Sequence, residues 1–317
     1  MTANRMNERR ISNEYGILGA VVALFIFFSL ASPFFFDANN LVNLGRQTVL
    51  LGVTAFAMTF IILSGEIDLS VGSVVSLISI IVAMTLRDTG SIIGALAVGL
   101  GAGALIGVIN GLVTVKGHVP SFITTLGIFS AARGISLAVT NSVAIPILNE
   151  DYLLVFQDAR PLGIAVSVIY AVVLFAALHF VLTRTRFGTS IYAIGGNAMA
   201  ARLSGIPVDR IKILVFVLAG TIIGFAAILQ IARIGSASPE VARNLELDAI
   251  AAVVLGGTSL TGGRGSLVRT IFGVLLIGIL NNGMNLLNID SYFQFIIKGA
   301  IIILAVLIDR WSRGRGA

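Results

Sequence analysis

An all-α polytopic membrane protein of about ten transmembrane helices is the fold class this sequence predicts. Three observations predict it. The hydrophobic fraction is 57% and the charged fraction 11%, against ~45–50% and ~25% in soluble domains; mean hydropathy is +1.01. Ten stretches are nearly charge-free, and most approach the ~20 apolar residues a spanning helix needs. Lys and Arg gather in alternate connections, as topology rules require. The 21 basic and 15 acidic side chains among 317 residues cannot cover a soluble body of this size. Lipid can solvate such a surface.

The stretches run in order. Gly16–Phe36 follows Arg9 and Arg10. With Ser29-Leu30-Ala31 it has some signal-peptide character, but the run continues through Phe34-Phe35-Phe36 and reads as a retained helix. Gln47–Gly65 and Leu69–Leu86 flank two carboxylates, Glu66 and Asp68. Thr89–Val115 carries Gly99, Gly101, Gly103, Gly107 and Gly111, small positions that let helices approach closely. Val119–Thr140 holds Arg133, and Pro161–Thr183 stops at Arg184. The longest polar connection, Arg184–Lys212, precedes Ile213–Ala232. Ala249–Gly257 is short and glycine-interrupted. Thr270–Ile289 and Ser291–Ile308 complete the set, the last holding Lys298.

Charge sets the expected orientation. With the N-terminus inside, the inner segments carry Arg5, Arg9, Arg10, Lys116, Arg184, Arg186, Arg202, Arg210, Lys212, Arg264, Arg310, Arg313 and Arg315. The outer ones carry Arg46, Arg87, Arg160, Arg233 and Arg243. Thirteen against five puts both termini in the cytoplasm.

The whole chain, 1–317, reads as one transmembrane domain with repeat-like halves, roughly 44–140 and 212–309, around a cytoplasmic loop at 184–212. Gly94–Asn110 and Gly265–Asn281, offset by 171, share Gly94/Gly265, Leu96/Leu267, Leu105/Leu276, Ile106/Ile277, Gly107/Gly278 and Asn110/Asn281. In the expected topology these two spans run in opposite directions, so the repeat would be inverted, as in many transporters.

Several function classes fall away. The net charge of +6 does not point to nucleic acid, because the basic residues sit in short loops between apolar runs. There is no Cys, and His118 and His179 are too few for a His-based metal site. No HExxH or G-x-S-x-G motif occurs, so enzyme chemistry has no carrier. Lys116, Lys212 and Lys298 each follow Val or Ile, so there is no Gly-Lys of a P-loop and ATP must be hydrolysed elsewhere. An ion-coupled transporter would need coupling groups near the midplane. Glu66 and Asp68 are the only paired acids read in the apolar region, and they are expected near its cytoplasmic boundary.

Two segments carry candidate function. Ser64–Ser73 interrupts an apolar region with two carboxylates, which are costly there unless they face water, protein or a helix N-terminus. Asp68 and Ser70 suit helix capping; alternatively the break lies beside a translocation path. Its near-counterpart is read as Leu255–Ser266, rich in glycine. The polar groups expected to line or brace a pathway are Glu66, Asp68, Ser70, Asn110, Thr258, Ser259, Asn281 and Asn282. In Ala193–Pro207, Asn197 can start a short helix and Gly205 with Pro207 can end it. Such a helix is either a docking knob for another protein or a solvated connector.

Residues Gly65–Ser73 closely resemble a signature of permease subunits of bacterial ribose/xylose/galactose-type ABC importers. Val119–Gly127 with Ala132-Arg133-Gly134 does so too, as do Val254–Ser259 and Gly262–Ser266. The segment Gly195-Gly196-Asn197 with Ala200–Ile206 is similar to the loop that contacts the ATPase in that family. Ala198-Met199 departs from relatives that often carry an acidic residue there. The likeness spans about residues 15–310.

The resemblance implies a permease in the bacterial inner membrane that passes a monosaccharide from a periplasmic binding protein into the cytoplasm. Branched-chain amino acids, carried by more distant relatives, are the rival cargo. It implies a second permease copy or paralogue, lipid around the pair, and a cytoplasmic ATPase that uses ATP and Mg; no cofactor is expected on this chain. It assigns ATPase coupling to Gly195, Gly196, Asn197, Ala200, Ala201, Arg202, Leu203 and Gly205.

Overall fold

The computed structural model describes residues 2–314. Arg315, counted above among the inner basic residues, lies outside the described residues. The elements follow in chain order: α1 (Thr2–Ala31), α2 (Ala38–Leu63), α3 (Val71–Thr89), α4 (Ile92–Val115) and α5 (Ser121–Thr140). A connection with strand β1 (Ile145–Pro146) and a single turn, α6 (Glu150–Leu153), leads to α7 (Val166–Arg184). Two short helices, α8 (Arg186–Gly196) and α9 (Ala198–Leu203), precede α10 (Val208–Ile234). Strand β2 (Ser236–Ala237) pairs antiparallel with β1. The chain closes with α11 (Leu245–Leu255), α12 (Leu267–Leu286) and α13 (Ser291–Gly314).

Seven described helices are long and apolar enough to cross a membrane: α2, α3, α4, α5, α7, α10 and α12. The other three expected spans correspond to the apolar Gly16–Ala31 part of α1, to α11 and to α13. The eighth stretch differs from its reading. Its helix starts at Leu245 rather than Ala249 and takes in Glu246 and Asp248. At 11 residues it is about 16 Å long, half a bilayer. Arg46 also lies within α2 rather than in a connection.

α2 is the hub. Every residue from Thr48 to Leu63 is buried, and this stretch carries no charge on any face, as suits a helix surrounded by protein. It packs against α7, α10, α11 and α12. α4 and α5 instead leave most of their surface open, with Leu105, Phe122, Ile123 and Leu126 exposed.

The tightest seam joins α4 to α10. A Cβ on Gly103 would fall on the Gly220 carbonyl, and one on Gly220 would fall on the Gly103 carbonyl. Gly99 meets Ile228, Gly107 meets Phe216 and Gly111 meets Ile213. These glycines recur every fourth residue, so they form one stripe. Gly101, off that stripe, faces open space.

Helix ends add to the sequence offset. Leu63 and Ile234, which end α2 and α10, lie 171 positions apart, as do Val115 and Leu286, which end α4 and α12. The break after α2 therefore aligns with the segment that begins at Gly235. This corrects the counterpart assigned above: Leu255–Ser266 aligns instead with the turn between α3 and α4. Shared glycine does not identify the partner, since turns of unrelated function use it alike.

Candidate functional site

The break after α2 is extended chain set among helices. Ser64 closes α2, Gly65 takes a left-handed φ of 81°, and α3 begins only at Val71. Extended backbone cannot satisfy its own N–H groups, and an apolar setting offers no water to do it. α5 supplies the partners: Ile67 N donates to Ser121 Oγ at 3.1 Å and Leu69 N to Thr125 Oγ1 at 3.0 Å.

Asp68, 3% exposed, accepts from both the backbone N and the hydroxyl of Ser70, at 2.8 and 2.6 Å. Asn110 Nδ2 donates to the same Ser70 hydroxyl at 3.4 Å. The expected caps are thereby revised. Ser70 occupies the N-cap position of α3 in helical conformation and makes no side-chain cap bond. Asp68 folds onto the turn instead. Glu66 pairs with Lys212 near the start of α10, both side chains largely buried.

The second break meets the first. Gly235 ends α10 in the left-handed region, β2 follows, and Asn244 precedes α11 at a φ of 63°. A Cβ on Gly72, in the first turn of α3, would fall on the Ala242 carbonyl and on Glu246 Oε2. The N-terminal turns of α3 and α11 thus touch, with the buried Glu246 carboxylate between them. Arg133 of α5 reaches this segment, donating to the Pro239 carbonyl and pairing with Glu240. Lys298 of α13 donates to Asp248 Oδ2 at 2.9 Å, and Asn281 Nδ2 lies 3.5 Å from the same oxygen.

Of the expected pathway residues, Asp68, Ser70 and Asn110 come together and Glu66 lies on the same segment. Asn281 belongs to the Asp248 cluster. Asn282 belongs to neither: it exchanges amide bonds with Asn40, 3.0 Å in each direction, and ties α12 to the start of α2. Thr258 and Ser259 sit in the glycine-rich turn after α11, where Ser259 N donates to the Arg264 carbonyl at 2.8 Å. Glu246 and Asp248 precede the expected stretch Ala249–Gly257 but lie inside α11, so Glu66 and Asp68 are not the only paired acids of the apolar region. Charge beside a Gly-broken apolar run was the signal that would have found them.

At the α9 end, α8 is wedged into the bundle. A Cβ on Gly195 would fall on the Leu63 carbonyl and the Gly263 N, and Gly263 N donates to Leu63 O at 2.9 Å. Helix α8, the end of α2 and the turn after α11 therefore share one backbone junction. Gly196, the last residue of α8, opens onto free space. Asn197 caps α9 as expected, its Oδ1 accepting from Ala200 N at 3.0 Å. Gly205, with a φ of 82°, follows Ser204 and ends the turn.

Two of the residues to which the resemblance assigns coupling are engaged within this chain. Ala201 is buried against Ile194 and Val208. Arg202 pairs with Asp209 Oδ1 at 2.6 Å, and Lys116 reaches the other oxygen of that carboxylate at 3.2 Å. What α9 does present is an apolar pair one turn apart, Met199 (67% exposed) and Leu203 (83%).

Residues 40–306 match the protein family described as branched-chain amino acid transport system / permease component. The chain is 43% identical to the ribose import permease protein RbsC of Escherichia coli (strain K12), over 98% of this chain and 99% of the other. It is 44% identical to RbsC of Bacillus subtilis (strain 168), over 92% of each. Identity to the L-arabinose ABC transporter permease protein AraH of Azospirillum brasilense is 35%, over 96% of this chain and 90% of that one. No solved structure matches.

Proposed function

From its membership of the branched-chain amino acid transport system / permease component family, we propose that this chain is the transmembrane permease subunit of an ATP-driven importer that carries a monosaccharide into the cell. The observation that carries the proposal is near-complete alignment with proteins named for ribose and L-arabinose import. The chain works as a transport subunit, and an ABC ATPase and a substrate-binding protein complete the importer.

The finer assignments extend this reading. The α9 end is cytoplasmic, and Met199 with Leu203 docks on the ATPase, because an exposed apolar pair one turn apart suits a protein cleft. Localisation is the bacterial inner membrane, with both termini on the α9 side. The pathway runs beside the two touching breaks, bordered by Asp68, Ser70 and Asn110 on one and Asp248 and Asn281 on the other. Halves α2–α5 and α10–α13 form an inverted repeat, supported by the shared offset of their helix ends. A second permease copy, surrounded by lipid, completes the channel. ATP and Mg are used by the ATPase alone, and this chain carries no cofactor.

The family description favours a second cargo, a branched-chain amino acid. Reconstitution of the permease with candidate binding proteins and ATPase decides between them. Sugar import predicts ATP hydrolysis stimulated by binding protein loaded with a pentose or hexose and no response to sodium or proton gradients. Stimulation by leucine-loaded binding protein alone would reverse the assignment of cargo.

A further inference from the structure

Two cavities are lined in part by α10. One, about 400 Å³, is walled by α4, α7 and α10, with Leu100, Leu174 and Phe225 around it and only Tyr170 and Thr221 polar. The other, about 510 Å³, sits where α10 begins beside the end of α4. Its rim carries Lys116, Arg202 and Arg210, and its wall carries Ile213 and Leu214. Leu214 of the basic cavity and Leu218 of the apolar one are one turn apart on the same face of α10. A groove with a basic mouth and an apolar trough thus follows one face of α10, one turn separating its two parts.

The mouth is not neutralised. Asp209 is the only carboxylate lining it, and it already bridges Lys116 and Arg202. Among the described residues Arg210 makes no ion pair. Three cations against one carboxylate leave an excess of two positive charges. A soluble anion would need the mouth alone. The trough adds a requirement for hydrocarbon, which only an amphiphile meets.

We propose that this groove binds an anionic phospholipid of the surrounding leaflet, with its phosphate at Lys116 and Arg210 and one acyl chain along α10. Basic pockets between transmembrane helices at the membrane surface recognise such headgroups. No residue lining the two cavities belongs to either break, and the site does not depend on which solute is carried.

The test uses the full chain in nanodiscs of phosphatidylcholine containing phosphatidylglycerol, released for native mass spectrometry. The expected result is retention of phosphatidylglycerol in preference to phosphatidylcholine. Lys116→Gln with Arg210→Gln should reduce that preference about twenty-five-fold, a factor of about five for each basic residue removed. Ala177→Trp, which fills the trough from its exposed edge, should lower retention of both lipids. Arg210→Gln alone removes no ion pair seen in the structure and keeps the test open if the double variant misfolds. Equal retention of the two lipids, or a preference unchanged by the basic substitutions, overturns the proposal. Displacement of lipid by inorganic phosphate retained in its place would assign the mouth to a free anion instead. Variants that keep their lipid but no longer co-purify with an ATPase would assign it to protein docking.

Discussion

Glu66 and Lys212, 146 positions apart in sequence, form a largely buried ion pair that ties the break after α2 to the start of α10. Each charge depends on the other. Lys212→Met leaves a carboxylate without a counter-ion, and breaking a buried pair on one side costs about 3–5 kcal/mol. Lys212→Met should therefore lower the melting temperature sharply in detergent. The double variant Lys212→Met with Glu66→Gln should recover most of the loss. A double variant no more stable than the single one would mean the pair is not what holds the segment.

Thr125 is expected to matter through one hydrogen bond. Thr125→Val keeps the shape but leaves Leu69 N–H without a partner, a loss of about 1–3 kcal/mol. Thr125→Ser should retain stability. Thermal unfolding of the two variants side by side is the measurement, and equal melting temperatures would contradict the bond's importance.

Asn110 and Asn282 should behave differently. Asn282→Ala removes an amide exchange with Asn40 that involves neither the Ser70 nor the Asp248 cluster. Interhelical bonds of this kind average about 0.6 kcal/mol in membranes, so stability should fall slightly and transport per folded molecule should stay unchanged. Asn110→Ala removes the contact to Ser70 beside the proposed pathway, and transport per folded molecule should fall. Sugar uptake normalised to protein in the membrane separates them.

On α9, the substitution that reports docking is at the exposed pair. Met199→Glu with Leu203→Glu should insert normally yet fail to co-purify with the ATPase. Ala201→Trp should instead disturb the local packing against Ile194 and Val208, an overpacking cost of about 1–3 kcal/mol or more. Retained ATPase and normal transport in the double-Glu variant would remove α9 from the coupling role.

Composition and periodicity carried the architecture, because spanning helices announce themselves through length and apolarity. Asn197 and Gly205 were legible for a similar reason: caps and left-handed stops are local. Face assignments were not. Ala201 looks slim enough for a partner's cleft, but which side of a six-residue helix turns inward depends on Ile194 and Val208. Nor could sequence pair Arg202 with Asp209, or Lys298 with Asp248, because ion pairs across helices leave no spacing rule. Nor does sequence separate Asn282 from its neighbour. It adjoins Asn281, yet successive helix positions point about 100° apart, and the two amides enter different neighbourhoods.

The notched contact between α4 and α10 has a mechanical consequence. Gly103 and Gly220 bring two backbones so close that neither helix can glide along the other. The only alternative register lies one full turn away, a displacement of about 5.4 Å. Short of that jump the two helices behave as a single beam. A push delivered at the start of α10 would be shared with α4 along that seam. The beam ends at Gly235, where α10 gives way to extended chain.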